Sequence, residues 1–572
     1  MRGLLAVVIV TTAMGARAQP ADPPNVVLVM TDDQGYGDIG VHGNTILKTP
    51  ALDRLHAQSV RLTDFHVDPT CSPTRSALMT GRYSTRTGVW HTIAGRSLMH
   101  PDETTLAEIF AANGYATGQF GKWHLGDNFP LRPQDQGFRQ TLHHGGGGVT
   151  QSPDFWGNDY FDDTYLTGDG ARRQCAGYCT DVWFDAALEF IREHRDGPFL
   201  CYLATNAPHS PYFVSEEYKR PYLEAGVAEP MASFYGMIAN IDDNMSRLVA
   251  ALDELELAED TILIFMTDNG TAAGFNPKAP AGTWGGFNAG MRGRKGSEYE
   301  GGHRVPCFLR WPAGGIGGGA DVDRLTAHID LAPTLADLCG LEVPGHRAWD
   351  GISLAPLLLG QSDESPERVL FVHSQRIERP EKWRKCAVMT ERWRLVDRDE
   401  LFDMLDDPGQ QSDVAADHPD VVSALRAAYD DWWSSLEPVF DEEVRIGLGS
   451  PRQNPTLLCA HDWHGESIPW NQPTVARDPE WNSYWSVDVL EAGRYEFRLR
   501  SRPPGIREPV GAAAARVRLG DVTASSPVAA RADEAVIEIA LPGGPAHLWA
   551  EFLVDGRPVR GAYYVEARRL AE

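Results

Sequence analysis

Nine side chains in this sequence, seven of them just after short apolar runs, have the types needed for one kind of chemistry. Asp32, Asp33, Asp268 and Asn269 offer only oxygen donors. Hard oxygen ligands without His or Cys suit Ca²⁺ or Mg²⁺ rather than zinc. Three carboxylates drawn together repel strongly unless a cation lies between them. Arg75, Lys122, His124, His209 and Lys295 bring the opposite charge. A divalent metal beside several cationic donors is what a tetrahedral anion with developing negative charge requires. Cys71 is a tenth candidate, although a lone cysteine is by itself more often a buried structural thiol.

The elements that must position these groups are legible in the hydrophobic pattern. Continuous apolar runs at 25–30, 117–120, 199–203, 261–266 and 305–311 alternate with helical periods at 104–113, 181–193 and 234–255. Such runs are expected of strands buried on both faces. The sequence therefore predicts an α/β fold with a doubly wound, mostly parallel sheet and helices on both faces. In open α/β sheets ligands bind beyond the carboxyl ends of the strands. Thr31-Asp32-Asp33, Gly121-Lys122-Trp123-His124, Asn206-Ala207-Pro208-His209 and Thr267-Asp268-Asn269 all follow such runs. Asp and Asn also serve there as caps and turn formers. Capping needs neither paired carboxylates nor buried cations, so four such sites on one edge point to a ligand.

This catalytic α/β region is expected over 24–360. Short strands with Trp and Arg, then a helix near 419–436, predict a smaller α+β lobe over 361–445. From 450 to 572 the helical periods vanish, and alternating runs with Pro and Gly turns predict an accessory β-sandwich. Arg2, the apolar run 4–10 and Ala16-Arg17-Ala18 have the form of a cleaved leader over 1–18, which implies a secreted or periplasmic protein. No later stretch has the length and apolarity of a transmembrane segment. The net charge of -27 excludes nucleic acid as a partner. It also favours a small or sparsely charged substrate over a dense polyanion, since any anion must be held by local cations against the overall field. Eight cysteines do not make a disulfide scaffold in a chain of 572 residues, though Cys175 and Cys179 are close enough to pair across a loop.

At Cys71-Ser72-Pro73-Thr74-Arg75, followed by Thr80-Gly81-Arg82, the chain resembles the formylglycine-dependent sulfatases of the alkaline-phosphatase superfamily. The resemblance continues through Gly121-Lys122-Trp123-His124-Leu125-Gly126, Thr267-Asp268-Asn269-Gly270, Lys295-Gly296-Ser297 and Tyr299-Glu300-Gly301-Gly302-His303-Arg304-Val305-Pro306. It implies a maturation partner, a formylglycine-generating enzyme that oxidises Cys71 to an aldehyde. The hydrated aldehyde attacks sulfur, forms a covalent sulfate ester and then expels sulfate. It further implies that Asp32, Asp33, Asp268, Asn269 and the modified Cys71 hold Ca²⁺, with Mg²⁺ the alternative. Arg75 and His124 would orient and activate the diol. Lys122, His209 and Lys295 would contact sulfate, and His209 or Lys295 would protonate the leaving oxygen. His303, within the last motif, is expected to face the substrate.

The expected substrate is a sulfated small molecule or glycan. Two other readings use the same features, a phosphonate monoester or phosphodiester hydrolase of the same superfamily and a non-catalytic glycan-binding relative. Trp90, His91 and the glycine-rich 143–148 leading to Trp156 and Asp159 are expected to flank the pocket. His143 and His144 lack a third partner at metal spacing. In the C-terminal part, Trp470, Trp481 and Trp485 are assigned to packing ahead of carbohydrate binding.

Overall fold

The computed structural model describes residues 23–280, 282–343, 345, 347–362 and 367–571. The leader-like segment 1–18 lies outside them. A ten-stranded sheet forms the centre, built from β1 (Asn25–Thr31), β2 (Val60–His66), β3 (Ala116–Gly121), β4 (Gln140–His143), β5 (Thr164–Thr167), β6 (Arg172–Gln174), β7 (Phe199–Ala204), β8 (Thr261–Thr267), β9 (Cys307–Arg310) and β10 (Asp321–Ala327). Its order is β10-β2-β9-β8-β1-β7-β3-β4-β5-β6. The run β8-β1-β7-β3-β4 is parallel throughout, as is the β10–β2 pair.

Alternation explains how one strand serves two cores. In β1, Val26, Leu28 and Met30 face one cluster with Leu106, Phe110 and Leu335 from the covering helices. Val27 and Val29 face the other, with Phe184, Ile191, Met237 and Ile241. Both faces are therefore apolar, and β1 is buried at every residue. The helix Leu106–Ala112 is fixed by a capping box in which Thr105 and Glu108 satisfy each other's backbone N–H groups.

Two expectations change here. The apolar run at 305–311 supplies β9, but it pairs antiparallel with both β8 and β2. Direction is not encoded in burial, so periodicity does not reveal it. All eight cysteines are free, and Cys179 opens the helix Cys179–Glu193 with its thiol directed at Asn206 Oδ1, 3.2 Å away. The pairing of Cys175 with Cys179 is absent.

Beyond the sheet, four antiparallel strands from Leu370–His373 to Glu400–Asp403 pack on the helix Pro419–Leu436. The C-terminal strands form two further sheets, six-stranded and four-stranded, around a common core. That core also takes in Ala94, Leu98 and Leu131 from the first region, so the sandwich is packed directly onto it. Among the described residues no helix is long and apolar enough to cross a membrane.

A buried ionic network ties the central sheet to the second. Arg394 reaches Glu300 at 2.8 Å and Asp64 at 3.0 Å, and His66 bridges Asp64 and His303 at 2.9 Å each. Removing one partner of a buried pair leaves an uncompensated charge, which costs roughly 3–5 kcal/mol. An Arg394→Ala variant is expected to lose about that much stability, read as a lower urea midpoint at unchanged slope.

Candidate active site

The edge where β8, β1, β7 and β3 end side by side carries the predicted groups. Asp32 and Asp33 follow β1, and the Asp33 amide donates to Asp268 Oδ1 at 3.0 Å just past β8. Asp33 adopts a left-handed backbone with φ of 67°, which turns successive carboxylates toward one point. Lys122 follows β3 through Gly121, where φ is 101° and an added Cβ would lie 2.0 Å from the Ala204 carbonyl oxygen. Only glycine fits that bend. It delivers the Lys122 ammonium to Asp32 as a fully buried ion pair.

Cys71 is the first residue of a helix, Cys71–Thr80, whose ten residues are all buried. Arg75 lies one turn later on the same face. Its guanidinium reaches Asp268 at 2.8 Å and Asp32 at 3.6 Å, and donates to the Lys122 carbonyl at 3.2 Å. The Lys295 loop is held by Gly296 donating to the Pro69 carbonyl at 2.8 Å, two residues before Cys71. The Lys295 ammonium meets Asp33 Oδ1 at 2.5 Å, and His209 Nε2 stands 3.8 Å from Asp33 Oδ2. Eight of the eleven predicted site residues thus converge, and Asn269 joins them by donating its side-chain amide to Asp33 Oδ1 at 2.9 Å.

The donor set fits a divalent cation. The Cys71 sulfur and one oxygen each of Asp32 and Asp268 lie within 4.8 Å of one another. Asp32 Oδ1 and Asn269 Oδ1 are buried without a hydrogen-bond partner. Burial, then the neighbouring Asp268 charge, pushes the Asp32 carboxyl up to about 8 despite Lys122. A cation among these oxygens relieves that repulsion. At Asp33 burial works in the same direction, but Lys295 and His209 outweigh it and hold the carboxyl well below its usual range. Burial and then Lys295 bring His209 down to about 4. Burial opposes the charge on Lys295, yet Asp33 overcomes it and raises its pKa.

His124 has a left-handed backbone and sends Nε2 to the Thr92 carbonyl at 2.9 Å. A carbonyl can only accept, so the proton sits on Nε2 and Nδ1 carries the lone pair. Nδ1 is buried and has no partner. The glycine-rich loop packs on this ring: a Cβ on Gly147 would lie 2.1 Å from His124 Cε1, and one on Gly148 would lie 3.3 Å from His209 Nδ1.

His303 is the exception among the predicted site residues. Its imidazole is fully buried, with Nδ1 facing His66 at 2.9 Å and Nε2 facing the Glu298 carbonyl at 3.1 Å. Both nitrogens are occupied by the protein, so His303 belongs to the Arg394 network and not to the substrate. Of the flanking residues, Trp90 and His91 are buried, Trp156 packs on the sandwich core, and Trp470 stands 40% exposed beside the loop at Ser152. Trp485 is core, as its packing assignment requires. His461 is not among the residues the sequence points to. It comes from the C-terminal region, with Nδ1 on Asp462 at 2.9 Å and its ring centroid 6.2 Å from that of His124.

Comparison with known proteins identifies the family. The Sulfatase family matches residues 24–341, and the family described as N-sulphoglucosamine sulphohydrolase, C-terminal, matches residues 294–429. Mouse (Mus musculus) steryl-sulfatase is 29% identical over 546 residues, covering 76% of this chain and 86% of that protein. Human (Homo sapiens) arylsulfatase A is 34% identical over 394 residues, covering 63% and 72%. The solved structure of Ps i-CgsB in complex with k-i-k-neocarrahexaose superposes with a TM-score of 0.64 at 26% identity, over 72% of this chain and 93% of that one. With the fold, the motif order and these relatives in agreement, the chain belongs to the sulfatase family of the alkaline-phosphatase-like superfamily and is a sulfuric ester hydrolase.

Proposed function

We propose that the protein hydrolyses sulfate monoesters on a carbohydrate, with residue 71, oxidised from cysteine to formylglycine, as the nucleophile. The observation that carries this reading is the convergence of the Cys71 sulfur with the Asp32 and Asp268 oxygens at the start of a buried helix. The oligosaccharide bound by Ps i-CgsB supports the carbohydrate class. The leader-like 1–18 supports export to the periplasm or beyond, and a formylglycine-generating enzyme is the implied partner in maturation.

Asp32, Asp33, Asp268, Asn269 and residue 71 would hold a calcium ion, which when bound supplies positive charge to the sulfate and the nucleophile. The hydrated aldehyde supplies one oxygen to attack sulfur and a second whose deprotonation releases sulfate. Arg75 fixes Asp32 and Asp268 in place. His124 takes the proton of the nucleophile at Nδ1, the nitrogen left free by its bond to Thr92. Lys122 and Lys295 bind sulfate oxygens, and the N-terminus of the Cys71–Thr80 helix adds favourable backbone N–H groups. His209 and Lys295 keep 14% and 19% of their side chains exposed, against 3% for Asp33 and none for Lys122, so an incoming ester meets these two first.

One of those two protonates the leaving oxygen, and leaving-group dependence tells them apart. The variant lacking the donor, His209→Ala or Lys295→Ala, is expected to lose about 100-fold more kcat on an alkyl sulfate than on nitrophenyl sulfate, whose phenolate leaves unaided. The other variant is expected to lose both alike. Steady-state turnover of the two substrates decides it, and parallel assays with phosphonate monoesters test the sulfate preference itself. Turnover of the phosphonate alone would overturn the assignment.

A further inference from the structure

A cavity of about 780 Å³ opens from Lys295 and is distinct in character from the buried site behind it. Its walls include Phe275, Pro277, Phe287 and Met291 on the apolar side, with Asn288 and Gln411 among them. An apolar wall with a few convergent polar groups is how proteins hold a sugar-sized ligand. Four cations also line it, Arg292, Arg294, Lys295 and Lys385, against one carboxylate, Glu298.

Two of the cations are already engaged. Lys295 pairs with Asp33, and Arg292 stacks on Tyr299 at 3.7 Å and approaches Glu400 at 3.7 Å. Arg294 and Lys385 are exposed and form no ion pair or side-chain hydrogen bond among the described residues, although the carboxylates of Glu298 and Asp397 feel the Lys385 charge. In a chain with a net charge of -27, two unpaired cations in the same cavity as a sulfate-contacting lysine call for an anion. The overall charge argues for a sparsely charged substrate, but only over distance. At physiological ionic strength the screening length is about 8 Å, so carboxylates elsewhere on the surface are largely invisible from this cavity. The local cations decide.

We propose that this cavity is a second anion subsite, and that the natural substrate is a saccharide carrying a further sulfate or carboxylate beside the ester that is cleaved. This rests on the carbohydrate-sulfatase reading above. The scissile sulfate enters between His209 and Lys295, the sugar lies along Phe275 and Phe287, and the second anion meets Arg294 and Lys385.

The test compares parent, Arg294→Ala, Lys385→Ala and the double variant on four esters. These are nitrophenyl sulfate, a monosulfated monosaccharide, its disulfated counterpart and a sulfated disaccharide containing a uronic acid. The parent is expected to show a KM about 10-fold lower for the doubly charged saccharides than for the monosulfated one, a difference of ~1.4 kcal/mol. The double variant removes that difference and leaves nitrophenyl sulfate turnover unchanged. Added salt shrinks the preference in the parent only. Whichever dianion shows the larger preference identifies the second group as sulfate or carboxylate. Equal KM for mono- and dianionic saccharides in the parent overturns the subsite, as does a double variant that weakens all four esters alike. Turnover of nitrophenyl sulfate with none of any saccharide overturns the carbohydrate reading and the subsite with it.

Discussion

A Cys71→Ala variant is expected to release sulfate roughly 10⁴-fold or more slowly than the parent while keeping its fold. Removing a nucleophile from a preorganised site leaves only binding and electrostatic stabilisation, and water is poorly placed to replace the missing oxygen. Alanine deletes one buried sulfur at a position 2% exposed, which costs on the order of 1 kcal/mol and does not threaten the surrounding helix. Sulfate release measured beside the thermal midpoint separates lost chemistry from lost structure. Mass analysis of the parent's Cys71 peptide gives the complementary result. Formylglycine lies about 18 Da below cysteine. A native preparation that is fully active with an unmodified thiol would sink the assignment.

Stripping divalent cations is expected to lower activity roughly 10³-fold, with recovery on adding calcium, because several kcal/mol of charge stabilisation leave with the ion. The same treatment acts on stability. Asp32, Asp33 and Asp268 are each at most 2% exposed, and Asp32 Oδ1 and Asn269 Oδ1 lack partners. A cation that binds only the folded chain adds about 2.7 kcal/mol at 100 times its Kd. The thermal midpoint should therefore rise with free calcium in the Cys71→Ala variant as well, where no turnover occurs. A midpoint indifferent to calcium and to chelator in both proteins would remove the metal from the site.

The four strands that end at the site were legible because each is a continuous apolar run in the middle of the sheet. The strands β2 and β10 were not, since Arg61, Asp64, Asp321 and Asp323 break their apolar pattern. Their place is set by pairing with each other and, for β2, with β9, which no local window contains. The same limit explains the site. Asp32, Lys122, His209 and Asp268 follow from topology and residue type. His303 sits in a family-like motif, but its orientation is decided by His66 and Arg394, far away in sequence. His461 reaches His124 only because the C-terminal sheets dock on Ala94, a contact that composition does not announce.

The burial of Cys71 has a consequence in time. Every residue of its helix is buried in the folded protein, and the Lys295 loop is fastened to Pro69 just ahead of it. If Cys71 is oxidised as proposed, the modifying enzyme would have to reach the thiol before this helix docks. Modification would then compete with folding for the same stretch of chain, and that race would set the fraction of active molecules. Protein refolded from a fully reduced, unmodified state should be native in shape and silent in assay, and exposure to the modifying enzyme afterwards should not awaken it.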